Sequence, residues 1–179
     1  MKRKKEIMDG EGINRALSRI THEILETNRG AKDLAIIGIR TGGVYLAERL
    51  KKKIEEIEGI RIPLGIIDIT LYRDDLSMVD QKPIVKKTSI TFPLEDKKVI
   101  LVDDVIFTGR TARAAIDALI DIGRPKIVQL AVLVDRGHRE LPIMPNFVGM
   151  VVPTFLKENV NVSLTELNVI DCVHIEELS

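Results

Sequence analysis

Two adjacent carboxylates, Asp103 and Asp104, stand between an apolar run (Val99, Ile100, Leu101, Val102) and the segment Thr108, Gly109, Arg110, Thr111. The run reads as a strand buried on both faces of a parallel sheet, and open α/β sheets place their ligands at the carboxyl ends of such strands. Residues 112–120 read as a helix, so 108–111 forms a loop and helix start whose backbone N–H groups favour a bound phosphate. Two acceptor-only side chains beside a phosphate cradle suit a molecule with both a phosphate and a vicinal diol. A ribose phosphate is such a molecule. Neither G-x-x-x-x-G-K-[ST] nor G-x-G-x-x-G occurs, so the cradle is not a Walker loop or a dinucleotide fingerprint. Asp103 and Asp104 alone also fit a solvated acidic turn; the full string from strand to helix selects the phosphate.

The elements that must hold these groups follow from periodicity. Ile13, Ala16, Leu17, Ile20 and Ile24 recur at helical spacing and predict an amphipathic helix over 12–28, ended near Gly30. Residues 34–39 predict a buried strand, 40–43 a Gly-rich turn and 44–57 a second helix with Lys and Glu on its outer face. A strand over 62–69 has Pro63 near its start. Residues 70–92 form a long polar excursion, the mark of a functional lid or a disordered tip. Strand 99–102, the helix to 122 and strand 127–134 make a βαβ unit, and shorter strands are expected around 147–152, 160–164 and 171–176. The alternation predicts one α/β domain over 1–179 with a mostly parallel central sheet flanked by helices.

A length of 179 residues suits a single domain with a large core. With 27 basic and 27 acidic side chains the chain has no net charge, which argues against a protein coated in positive charge but allows a local basic face. The single Cys172 cannot make an internal disulfide and reads as a small core residue. No apolar stretch approaches the ~20 residues that span a bilayer, and the basic start lacks the apolar region of a signal peptide. A cytoplasmic protein is expected.

The acid-and-phosphate string resembles the phosphoribosyl pyrophosphate (PRPP) signature of the type I phosphoribosyltransferases. Three further segments narrow the likeness: Gly-Ile-Arg-Thr-Gly-Gly-Val-Tyr-Leu-Ala at 38–47, Leu-Tyr-Arg-Asp-Asp-Leu at 71–76, and Val-Asp-Arg-Gly-His-Arg-Glu-Leu-Pro-Ile at 134–143. Together they resemble the PyrR family, which joins pyrimidine-operon attenuation to uracil phosphoribosyl transfer. The resemblance runs from about Ile13 to the C-terminus. It implies a type I phosphoribosyltransferase fold with a flexible hood at about 70–92, the substrates PRPP and uracil, the product UMP, and Mg²⁺ carried by PRPP with no dedicated protein ligand. It also implies a homo-dimer or homo-tetramer. A salvage enzyme without RNA binding and a purine-base phosphoribosyltransferase are the alternatives.

On this resemblance, Asp103 and Asp104 accept hydrogen bonds from the ribose hydroxyls and favour oxocarbenium character, and Val105, Thr108, Gly109, Arg110 and Thr111 hold the 5′-phosphate. Arg40, Thr41, Gly42 and Gly43 wrap the pyrophosphate; the other reading is an ordinary strand-to-helix turn. Relatives often carry Arg where this chain has Gly42. Arg73 is read as a pyrophosphate contact from the hood, or as a solvated surface arginine. Val134, Asp135, Arg136 and His138 are expected around uracil, with His138 read alternatively as structural. Arg15, Ser18, Arg19 and His22 share one helix face at i, i+3, i+4 and i+7. With Arg139 they are the implied contacts for a leader mRNA stem-loop, against the plainer reading of a solvated face. Met144 and Met150 stand where relatives tend to have cations, and fewer cations weaken phosphate contacts; the N-terminal basic cluster over 2–5 is a source of compensating charge.

Overall fold

The computed structural model describes residues 4–74 and 88–177. Residues 75–87 of the expected hood, with Asp75, and Lys2 and Arg3 of the basic cluster lie outside the described residues. Five strands, β2 (Leu34–Ile39), β3 (Leu64–Ile67), β4 (Lys98–Ile106), β5 (Ile127–Asp135) and β6 (Phe147–Val151), form one parallel sheet in the order β3-β2-β4-β5-β6. All six residues of β2 are buried, as expected for a strand covered on both faces.

Alternation assigns each face its helices. Ile36, Ile100, Val102, Ala131 and Leu133 pack with α1 (Gly10–Asn28) and α2 (Gly43–Glu58). Ile37, Val99, Leu101, Leu130 and Val132 pack with α3 (Arg110–Ile122). Helix α1 begins two residues before the expected start because Asp9 caps it, its carboxylate accepting from Gly12 N at 2.7 Å. It ends at Arg29 in the left-handed conformation, with Gly30 N donating to Leu25 O at 2.8 Å.

A second, antiparallel sheet of three strands has the order β1-β8-β7, made from β1 (Lys4–Asp9), β7 (Glu158–Ser163) and β8 (Cys172–Glu177). Strand β1 has no sequence signal, being Lys-Lys-Glu-Ile-Met-Asp; it exists because β8 supplies its hydrogen bonds. Arg49 of α2 ties this sheet down, donating to Asp171 Oδ2 at 2.7 Å and to Glu166. That guanidinium holds both carboxyls below their usual range. Cys172 is half-buried on β8, with its Sγ 3.9 Å from His174 Nδ1. No helix among the described residues is long and apolar enough to cross a membrane.

Candidate active site

Parallel strands end at one edge, so the segments after β2, β4 and β5 meet there. Gly43 makes the closest join: a Cβ on it would fall 2.0 Å from Val102 O, so only glycine lets the start of α2 rest on the end of β4. Gly42 does the same for Asp104, since its Cβ would lie 2.1 Å from Asp104 Oδ2. The expected pyrophosphate turn is therefore packed against the carboxylate expected on the ribose.

Strand β4 runs on to Ile106, four residues past the expected end, and carries both acids. Asp103 is 8% exposed and accepts from Asp104 N at 2.9 Å. Burial first, and then the charge of Asp104, push its carboxyl well above the usual carboxylate range. Asp104 Oδ1 accepts from Val105 N at 2.8 Å.

A cavity of about 440 Å³ opens beside Asp103, with Val105, Thr108, Gly109, Arg110 and Thr111 in its wall. Gly109 has φ +90°, and α3 begins there without a side-chain cap. A helix start without a side-chain cap is the arrangement that favours an anion. Thr108 Oγ1 accepts from Arg110 N at 3.3 Å. Arg73 reaches the same cavity from the base of the hood. That base is set by Asp68, whose Oδ1 accepts from Thr70 N at 2.9 Å and whose N donates to Thr88 Oγ1 at 2.9 Å.

The segment after β5 is arranged differently. Val134 is fully buried within the sheet, its backbone paired with Val105 and Met150. The carboxylate of Asp135 accepts from Gly137 N at 2.9 Å and from Arg139 at 2.6 Å, and its carbonyl accepts from Val152 N at 2.8 Å. Arg136 is 4% exposed; its guanidinium lies 4.0 Å over the Phe107 ring and donates to Thr154 Oγ1 and Phe155 O, each at 3.2 Å. Burial lowers its pKa. His138 meets the same ring edge-on, with Nε2 2.6 Å from Thr154 O. None of these four residues lines the cavity beside Asp103.

Arg139 lies at the strand ends rather than on the α1 face. Its guanidinium donates to Phe107 O and Ile143 O, both at 2.8 Å, as well as to Asp135. It is bonded to protein acceptors at the strand ends. Sequence reasoning missed two residues here, Phe107 and Glu140. Phe107 receives Arg136, His138 and Arg139. Glu140 N donates to Thr108 O at 2.9 Å and its carboxylate accepts from Arg110.

A phosphoribosyl transferase domain model matches residues 4–167. A protein named Bifunctional protein PyrR from Acetivibrio thermocellus is 59% identical over 175 residues, covering 98% of this chain and 95% of that relative. Its namesake from Deinococcus radiodurans is 57% identical over 169 residues, covering 94% and 92%. The chain belongs to the PyrR family of phosphoribosyltransferases. Among solved structures, a hypoxanthine-guanine phosphoribosyltransferase from Bacillus anthracis aligns with a TM-score of 0.70 at 18% identity, covering 99% of both chains, and shares the fold. A purine phosphoribosyltransferase from Pyrococcus horikoshii gives a TM-score of 0.60 at 25% identity, covering 81% of this chain and 86% of that one.

The α1 face of this PyrR-family chain is polar, as its spacing predicts. Arg15, Arg19 and His22 are exposed or half-buried and Ser18 half-buried, opposite the buried stripe. Arg15 sits 3.5 Å from Glu11. Arg19 is partly committed, donating to Glu23 and to the carbonyls of Val148 and Gly149 on β6. Lys53 of α2 joins this face by donating to Ser18 Oγ at 3.0 Å, a neighbour that only the packing of α2 on α1 supplies. A groove of about 660 Å³ runs between Arg15, Arg19 and Met150. Met144 is 82% exposed.

Proposed function

We propose that this chain transfers phosphoribose from PRPP to N1 of uracil, giving UMP and pyrophosphate, and that UMP promotes its binding to a stem-loop in pyrimidine-operon leader RNA. The observation that carries this reading is identity of 55–59% over nearly the whole chain to proteins named as bifunctional PyrR. Breaking the glycosidic bond develops positive charge on the ribose and negative charge on the leaving group, so catalysis rests on positioning and electrostatics. Asp104, packed against Gly42, accepts from a ribose hydroxyl, and Asp103 meets the sugar from the cavity wall. The N–H groups and hydroxyls of 108–111 hold the 5′-phosphate, while Arg40, Thr41, Gly42 and Gly43 wrap the pyrophosphate and Arg73 meets it from the hood.

Mg²⁺ enters on PRPP. Asp103 and Asp104 are hard oxygen donors that suit its water shell, and the ion neutralises pyrophosphate charge when bound. Among the described residues no three His, Cys, Asp or Glu side chains are grouped to hold a metal ion. Uracil lies beside the segment after β5, where Arg136 and His138 brace Phe107 and act on the base through the loop they hold. On the opposite face, Arg15, Ser18, Arg19, His22 and Lys53 meet RNA. The chain works in the cytoplasm as one domain over 1–179, assembled in two or four copies; the exposed Phe155, Leu156 and Met144 suit contact between copies.

The test has two arms. Purified protein is assayed for nucleotide formation from PRPP with uracil, hypoxanthine or guanine, and is titrated with leader RNA with and without UMP at two salt concentrations. Uracil-selective turnover with UMP-enhanced, salt-sensitive RNA binding is expected. Turnover of a purine base in place of uracil would refute the enzyme reading. Leader RNA bound no better than a scrambled sequence would leave a salvage enzyme.

A further inference from the structure

The phosphate cavity contains an anion of the chain's own. Arg110, in the middle of the cradle, is paired within the chain: its Nε donates to Glu140 Oε2 at 2.7 Å and its NH1 to Asp74. Arg113, one turn along α3, holds an NH1 3.9 Å from the same Asp74 oxygen. The Asp74 carboxylate therefore sits against the guanidinium groups of two residues of the first turn of α3, Arg110 and Arg113, the second of which also pairs with Asp117 at 2.9 Å. Such groups are also what favours a phosphate there. Asp74 and Glu140 line the cavity together with Thr108, Gly109 and Thr111.

The two carboxylates are held differently. Glu140 is fixed through its backbone, because Glu140 N and Leu141 N both donate to Thr108 O, at 2.9 and 3.2 Å. It belongs to the cradle. The carboxylate of Asp74 reaches the cradle through Arg110 and Arg113 from another segment, the base of the hood. Of the two, Asp74 is the one a ligand displaces without breaking the loop.

We propose that Asp74 is a resident competitor for the phosphate site, so that phosphate-bearing ligands bind by exchanging with its carboxylate on Arg110 and Arg113. It is a positioning residue, since it acts on the ligand through the two arginines. Its presence lowers affinity for every phosphate monoester, substrate and product alike, which keeps product exchange fast. The inference rests on the phosphoribosyl reading of this site.

Calorimetric titration of the full chain and its Asp74→Asn variant tests it, with inorganic phosphate, UMP and uridine as the three probes. Loss of the competing charge should tighten phosphate and UMP by about fivefold, the scale of a part-exposed ion pair, and leave uridine unchanged. Asp74→Ser, which also lacks the charge, should give the same pattern, and both variants should melt with the parent. Phosphate and UMP affinities unchanged or weaker in both variants would overturn the proposal. So would uridine tightening by the same factor, because uridine has no phosphate. A parent chain that binds UMP no better than uridine would overturn the phosphoribosyl reading itself, and the inference with it.

Discussion

The segment after β4 and the segment after β5 leave the same edge of the same sheet, yet they treat their polar groups in opposite ways. Along 103–111 the polar side chains turn toward a cavity: Asp103, Thr108 and Arg110 line it and α3 starts with no side-chain cap, although Arg110 is paired with Glu140 and Asp74. Along 134–140 the polar side chains are consumed internally. Arg136 stacks on Phe107, and Arg139 bridges Phe107 O, Ile143 O and Asp135. A charge near a site is therefore not by that fact a ligand contact. One segment lines the cavity, and the other braces it through Phe107.

The most severe challenge to this contrast is Asp104→Asn. With its carboxylate at the ribose as proposed, kcat for UMP formation should fall about 10²–10³-fold in the variant with little change in melting temperature. A fall under threefold would remove Asp104 from the chemistry. Arg139→Met should behave in the reverse manner. Losing a part-buried guanidinium with three acceptors should cost about 2 kcal/mol, lowering Tm by roughly 4–8 °C and raising KM for PRPP more than it lowers kcat. Thermal melts and initial rates check both; an unmoved Tm in Arg139→Met would return that residue to the surface.

Asp103→Asn refines the contrast through pH. The folded carboxyl titrates above its ordinary value, so the stability it contributes is full below the unfolded pKa near ~4 and is lost as pH rises through the raised folded value. An asparagine carries no such ionisation. The variant should therefore be about 1–3 kcal/mol more stable than the parent at pH 7, and the gain should vanish as pH falls below about 4. Denaturant melts at several pH values check this; a constant difference would mean the carboxyl is not strained by burial. The smallest effect is expected on the far face. Arg15 is 71% exposed, so Arg15→Ala should leave stability within about 0.5 kcal/mol and turnover intact. The salt dependence of RNA binding should become shallower by about one unit of slope.

Much of this was legible before any coordinates. Strand β2, helix α2 and the βαβ unit around β4 follow from apolar runs and 3.6-residue spacing, because those signals are local. The phosphate cradle is legible for the same reason: strand, acids, turn glycine and helix start are contiguous, from 99 to 120. The roles of 134–143 were not legible. Arg136, His138 and Arg139 are chemically able to meet a base or an RNA, and only folding shows that they gather on Phe107, some thirty residues away in sequence. Strand β1 was invisible because its residues have no strand signal and its hydrogen bonds come from β8 at the other end of the chain.

Neighbouring residues were thus enough to specify the parallel sheet, the position of the acids at a strand's end and the glycine turn that starts α3, since each is written in contiguous chain. Where each charge is committed was settled by folding alone. It set Asp104 against Gly42, Arg139 on Phe107 and Asp135, and Asp74 on Arg110. A charged side chain is long enough to reach several partners, and its energy depends on the burial and the neighbours that folding brings together.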